Sequence, residues 1–414
     1  MIINSQAFNA KGKDARRIYM KLDEFRSRRP IDIIAKTNPI LIIDEPQSVE
    51  GKQTKERLKE FNPLLTLRYS ATHKADSIYN MVYRLDAMEA YNKRLVKKIA
   101  VKGITESGST ATEGFVYLES INLSKADPTA TIQFDYIGAK GLRKKTATVG
   151  IGYNLYDNSG ESGKLDEYKE GFVVKSIDGR DNSVEFLNGI KIFAGDVIGK
   201  VSEDQLRRIQ IRETILSHLE RERQLFHKGI KVLSLFFIDE VAKYKQYDEV
   251  GHPFNGIYAD MFEEEYNDIL NSMQREIGDK DYIRYLDAIS AHDTHAGYFS
   301  VDKKGKMTDS KLSDKKEGTS DDIDAYDLIM KNKELLLDRD PKKYPVRFIF
   351  SHSALREGWD NPNVFQICTL KQSSSEVRKR QEVGRGLRLC VNQDGERMDA
   401  NVLGNDVQSI NVLT

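Results

Sequence analysis

Two rhythms of apolar residues run along the chain. Residues 40–43, 64–69, 230–239, 346–350 and 364–368 are short blocks dominated by Ile, Leu, Val and Phe. An unbroken aliphatic run of strand length predicts a strand buried on both faces, the habit of parallel strands in an α/β sheet. Between these blocks the apolar residues fall at helical spacing. Ile18, Leu22 and Phe25 mark a predicted helix over 15–25, and Leu206, Ile209, Ile215, Leu216, Leu219 and Phe226 mark one over 203–227. Residues 256–290 read as acidic helix, and 76–98 as a helix that grows basic through Lys93, Arg94, Lys97 and Lys98.

The middle of the chain follows another pattern. From Gly103 to Gly199 short alternating runs, such as 114–118 and 171–177, are separated by the turn signals Asp178-Gly179 and Asn188-Gly189, which predicts β-rich structure. Residues 300–322 are polar without periodicity and read as a mobile surface loop. The chain therefore divides into an α/β part at 1–100, a β-rich insertion at 101–202 and a second α/β part at 203–414. The β-branched residues Ile2 and Ile3 and the closing run Ile410-Asn411-Val412-Leu413-Thr414 make both termini read as strands, so a piece of a longer protein is expected.

Composition narrows the field. The 414 residues carry 64 Lys+Arg against 64 Asp+Glu, so any attraction to nucleic acid must be local. Two cysteines, Cys368 and Cys390, in no metal-ligand pattern point to a reducing compartment. Neither a signal segment nor an apolar run near 18 residues is found. A cytoplasmic, soluble protein without membrane contact is expected.

Chemistry concentrates at strand ends. Asp44 and Glu45 arrive where the first aliphatic run stops, and ligands bind at the carboxyl ends of parallel strands. Adjacent residues of a strand point to opposite sides, which suits one carboxylate to a hard cation such as Mg²⁺ and the other to polarising water. A plain acidic turn is the competing reading. Ser70-Ala71-Thr72 ends the next strand, where hydroxyls can sense the acidic loop. Near the C-terminus stands Gln381-Glu382-Val383-Gly384-Arg385-Gly386-Leu387-Arg388. On a helix its two arginines, three apart, would face one way and could converge on a polyanion; a solvated basic face is the alternative. Lys140-Gly141-Leu142-Arg143-Lys144-Lys145 reads as a phosphate-contacting hairpin or a solubilising loop. His292 and His295 find no third ligand at a recognisable spacing, so zinc is not expected, and Glu167-Tyr168-Lys169 lacks the acidic strand of a nuclease site.

Five segments in order carry a resemblance: IIDEPQ at 42–47, SAT at 70–72, LSLFFIDEVAKY at 233–244, SHSALREGWDNPNVFQICTL at 351–370 and QEVGRGLRL at 381–389. Together they resemble the helicase-type motifs of superfamily-two ATPases and, more narrowly, the Res subunit of type III restriction-modification enzymes. The resemblance implies tandem RecA-like lobes, the first incomplete, that hydrolyse ATP and move on duplex DNA through phosphate contacts, beside a methyltransferase (Mod) partner that reads the sequence. It implies Mg²⁺ on Asp44, water activation by Glu45, and coupling of ATP to DNA through Ser70, Ala71 and Thr72. Gly358 and Asp360 would sense nucleotide, Gln381 would lie near the γ-phosphate, and Arg385 and Arg388 would act as arginine fingers.

The sequence departs from that pattern in having no G-x-x-x-x-G-K-[ST] phosphate loop and no C-terminal nuclease domain. Slow or absent hydrolysis by the 414 residues alone is therefore expected. A superfamily-two motor outside restriction and a non-catalytic DNA-binding scaffold are the alternatives.

Overall fold

A computed structural model of the chain describes residues 2–3, 17–44, 46–49, 51–70, 78–106, 114–139, 141–161, 163–273, 279–301, 306–308, 335–352, 361–371 and 376–414. The chain separates into two compact units, Met1–Lys93 and Arg94–Thr414.

The first unit is built on two parallel strands, β1 (Ile40–Asp44) and β2 (Leu65–Tyr69), in a register that sets Asp44 against Tyr69. Helices Pro30–Lys36 and Lys52–Lys59 flank them, the former with its proline in the first turn, where the missing N–H costs nothing. Ile18, Ile31 and Phe61 form the core, with Leu41, Leu58 and Ile34 against it. The expectation of burial on both faces is corrected here. Leu41 and Ile43 are half-buried, whereas Ile40 is 55% and Ile42 68% exposed. Side chains alternate across a strand, and the core residues lie on the Leu41 side alone.

Two predicted helices also need correction. Over 15–25 the described residues form short 3₁₀ turns, Arg17–Tyr19 and Asp23–Phe25. Over 76–98 the only described helix is Ala87–Asn92, capped by the Asp86 carboxylate accepting from the Glu89 N–H, and Lys98–Ile99 is a strand. Ile2 and Ile3 are not in a strand.

The second unit opens with β3 (Lys98–Ile99) and continues into β structure. A five-stranded sheet runs in the order β4 (Thr105–Glu106), β11 (Asp196–Ile198), β5 (Val116–Asn122), β6 (Thr129–Gly138) and β7 (Gly141–Val149). A three-stranded sheet holds β8 (Val174–Asp178), β9 (Ser183–Phe186) and β10 (Lys191–Phe193). Val116, Leu118, Ile132, Phe134, Val184 and Phe186 share one core. The basic run at 140–145 lies in β7 from Gly141 onward, with Lys140 outside the described residues. Lys144 pairs with Asp135 at 2.7 Å and sits over the Phe115 ring, and Arg143 and Lys145 lie over Tyr136.

The 24-residue helix Glu203–Phe226 follows, started by a reciprocal capping box between Ser202 and Gln205. It leads into β12 (Leu233–Phe237), which stands between β18 (Phe348–Ser351) and β19 (Val364–Thr369), with β15 (His295–Tyr298) at the far edge. All three pairings are parallel. Both faces of this sheet are covered. Phe236, Phe348 and Phe350 pack with residues of helix 203–226 and of helix Ile257–Ser272, while Leu233, Leu235, Phe237 and Ile349 pack with Val383, Leu387 and Leu413. Hairpin β13 (Lys245–Tyr247) and β14 (Pro253–Asn255) precedes helix 257–272. Ser300–Val301 (β16) and Met307–Thr308 (β17) pair antiparallel, so part of the 300–322 stretch is ordered strand.

Two buried arginines inside this unit each gather several partners. Arg212 reaches Glu119 of β5 at 2.5 Å, Glu265 at 2.8 Å and Asp268 at 2.6 Å, fastening the β-rich part to the helices. Arg347, wholly buried, donates to Glu222 at 2.6 Å, to Thr294 at 2.9 Å and to the Tyr266 hydroxyl. Burial alone would raise the Glu222 carboxyl; the Arg347 guanidinium, with His218 and Tyr282, holds it at about 2.

Candidate functional site

At the carboxyl edge of β1, Asp44 ends its strand with an exposed side chain. Alternation places it on the Ile40 and Ile42 side, the side away from the core. Its partner Tyr69 is followed directly by Ser70, so parallel pairing brings the carboxylate and the hydroxyl residue to one sheet edge. Glu45, Ala71 and Thr72 lie outside the described residues, as do Gly358 and Asp360.

In the second unit the helix Glu376–Gly384 includes Gln381 and stops before the arginines. The helical placement of Arg385 and Arg388 on one turn is thus corrected. The N–H groups of Arg385, Gly386 and Leu387 donate three residues back, to Glu382, Val383 and Gly384. Arg388 then forms an antiparallel bridge with Val96. Two glycines flanking Arg385 weaken any helix there, and non-local pairing with residues 96–100 offers the backbone better partners. Arg385 is half-buried and Arg388 exposed.

The turn is held from behind. Lys97, which is 1% exposed, donates its ammonium hydrogens to the carbonyls of Pro362 at 2.5 Å, Val364 at 2.8 Å and Gly386 at 3.1 Å. The Lys97 N–H donates to the Leu387 carbonyl at 2.8 Å. Burial pushes the ammonium down to about 7, while three acceptors take all three of its donors. Glu382 pairs with Lys371 at 2.6 Å. A Cβ on Gly386 would stand 2.6 Å from Leu413 Cδ1 and 3.2 Å from Ile367 Cδ1. Gly386→Ala is accordingly expected to lower unfolding free energy by about 1–3 kcal/mol, read from denaturant midpoints; an unchanged midpoint would show that Leu413 repacks freely. Beside this turn a cavity of about 470 Å³ is lined by Val383, Gln366, Thr369, Leu206 and Lys102, among others.

A further cluster was hidden from sequence reasoning. Glu263 of helix 257–272 meets His292 and His295, with donor atoms within 4.8 Å of one another. No spacing signal could reveal the carboxylate, which arrives from a separate helix. Glu167-Tyr168-Lys169 lies at a 3₁₀ turn whose Tyr168 is buried. Cys368 and Cys390 are free thiols, both raised to about 11 by burial.

Parallel strands in both units, packed with helices, make this a mixed α/β protein. No protein-family model matches the chain. It is a homologue of the Res subunits of type III restriction-modification enzymes. It is 35% identical over 405 residues to the EcoP15I Res subunit of Escherichia coli, a match covering 95% of this chain and 37% of that protein. The EcoPI Res subunit of Escherichia phage P1 is 33% identical over 371 residues, 88% of this chain and 34% of that one. The StyLTI Res subunit of Salmonella typhimurium is 29% identical over 407 residues, 89% and 37% respectively. The chain thus spans little more than a third of the length of these relatives. No helix among the described residues is long and apolar enough to cross a membrane.

Proposed function

We propose that the chain is the motor portion of a type III restriction endonuclease, coupling ATP hydrolysis to movement on duplex DNA before cleavage, in complex with a methyltransferase (Mod) subunit. The 35% identity to a Res subunit over 95% of the chain carries this reading. In it residues 1–100 and 203–414 are RecA-like lobes, the first incomplete, and residues 101–202 are an insertion between them.

An exposed carboxylate at a sheet's carboxyl edge is the hard oxygen donor that Mg²⁺ takes, with water and phosphate oxygens completing the shell. Asp44 fits that description and would hold the ion, which when bound neutralises phosphate charge. Glu45 orients and polarises the attacking water. Ser70 stands at the end of β2 on the same edge, and with Ala71 and Thr72, which come next in the sequence, it passes the nucleotide state toward DNA. Gly358 and Asp360 sense the nucleotide, and Gln381 lies near the γ-phosphate. Arg385 and Arg388 bring two permanently charged planar groups to the transferring phosphoryl, and the Lys97 anchor keeps their turn from yielding.

DNA is gripped at its phosphates. With equal numbers of basic and acidic residues, the affinity comes from local patches and falls steeply with salt, log K against log salt having a slope of about −0.9 for each phosphate neutralised. The test pairs two measurements on the 414-residue chain. Duplex binding at low salt with a negative salt slope is expected, together with slow or absent ATP turnover in Mg²⁺, since no G-x-x-x-x-G-K-[ST] occurs in it. Brisk turnover by this chain would overturn the incomplete-lobe reading, and failure to bind duplex at low salt would overturn the motor reading.

A further inference from the structure

Far along the chain from the arginine turn, three side chains from two elements and the turn between them aim at one point. His292 Nδ1 lies 3.0 Å and His295 Nε2 3.2 Å from the same Glu263 Oε1. A tetrahedral ion bound at about 2.1 Å needs donors about 3.4 Å apart, so small side-chain adjustments would admit one. We propose that Glu263, His292 and His295 form a binding site for a divalent transition-metal ion, Zn²⁺ foremost, with its remaining position open to water.

The surroundings are those of a ligand set. His295 is buried at the head of β15, and its Nδ1 is 2.9 Å from the Tyr244 hydroxyl. Asn255 donates to Glu263 Oε1 at 2.9 Å. A metal-bound imidazole is normally oriented through its second nitrogen, and a metal-bound carboxylate by a hydrogen-bond donor; Tyr244 and Asn255 supply both. With the site empty, each ring nitrogen facing Glu263 must carry hydrogen to make its bond, so the Tyr244 hydroxyl donates to His295 Nδ1. On binding, the nitrogen facing Glu263 in each ring gives up its hydrogen and offers a lone pair, while the other ring nitrogen carries hydrogen. Tyr244 then accepts from His295 Nδ1.

Two imidazoles and one carboxylate favour zinc, cobalt or nickel over Mg²⁺ or Ca²⁺, which prefer all-oxygen shells. His292 is exposed and Glu263 half-buried, which leaves a path for the ion and for water. The ion would clamp helix 257–272 to the edge strand of the parallel sheet.

The whole 414-residue chain, freed of metal by chelator, is titrated with Zn²⁺ by calorimetry and with Co²⁺ by visible absorption. One ion per chain is expected, with Co²⁺ bands of four- or five-coordinate intensity. His292→Ala and Glu263→Gln should each weaken binding at least tenfold, taking about 10-fold as the floor for a disturbed site, with circular dichroism unchanged. His227→Ala, outside the cluster, should keep the parent affinity. Unweakened binding in both cluster variants, or no Co²⁺ bands in the parent chain, would overturn the proposal.

Discussion

Arg388→Ala, made in a longer Res-type chain that carries this segment together with a phosphate loop, is expected to cut DNA-stimulated ATP turnover by about 10³-fold or more, equivalent to at least about 4 kcal/mol of transition-state stabilisation. The residue's place in the fold separates its chemistry from stability. Arg388 is exposed, so its loss should leave the melting temperature nearly unchanged, yet the backbone carrying it is fixed by the Val96 bridge and the Lys97 anchor. A charge on a fixed mount costs little reorganisation when the phosphoryl charge shifts. Arg388→Lys should rescue only partly, because a point ammonium cannot reproduce the planar fork. Glu45→Gln should abolish turnover while sparing DNA binding. Steady-state turnover and duplex affinity, measured side by side, decide the matter: turnover equal to the parent in Arg388→Ala would remove that side chain from the chemistry.

The largest stability effect is expected at Arg347. Arg347→Leu should cost about 3–5 kcal/mol, because it takes the guanidinium from the buried Glu222 carboxylate. The double variant Arg347→Leu, Glu222→Leu should recover much of that loss, since a packed apolar pair avoids the desolvation that two ions undergo. The pH dependence follows from the direction of the Glu222 shift. Its folded value, about 2, lies below the ordinary 4.5, so the stabilisation is fully present above the ordinary value and is lost as pH falls through about 2. In Arg347→Leu the carboxyl loses that support, and the deficit against the parent should narrow once acid protonates it. Urea midpoints from pH 7 to pH 3 provide the check; a constant deficit would mean that Glu222 is paired by something else.

What could be read from the chain depends on how local each cause is. The runs at 233–237, 348–350 and 364–368 announced parallel strands because both faces of that sheet are covered, which forces apolar side chains at successive positions. The same kind of run at 40–43 also forms a parallel strand but misleads about burial, since aliphatic residues there face out of the core on every second position. Helix 203–226 was legible from its stripe, although Arg212, Glu213, His218 and Glu222 are buried with it. Residues 96–99 carry a helix-like basic rhythm but are taken by strand partners about three hundred positions away. The bridge to Val96 pulls Arg388 off the helix that its spacing suggests. Glu263 was invisible beside His292 and His295 because only the folded sheet brings its helix to them. Asp44 and the arginines were nameable from type and order alone.

Lys97 has one more consequence, in the order of assembly. Its contacts with Gly386, and the pairing of Lys98 with Val412, join the first few residues of the second unit to its last. Closing so long a loop is entropically dear at the outset but grows only logarithmically with length, each doubling adding about 0.6 kcal/mol. Such contacts are slow to form because everything between them must first become compact. On a ribosome, residues 96–100 must wait with their backbone groups unpaired until nearly the whole unit has been made. The arginine turn is therefore a latecomer, completed only by a chain already folded behind it.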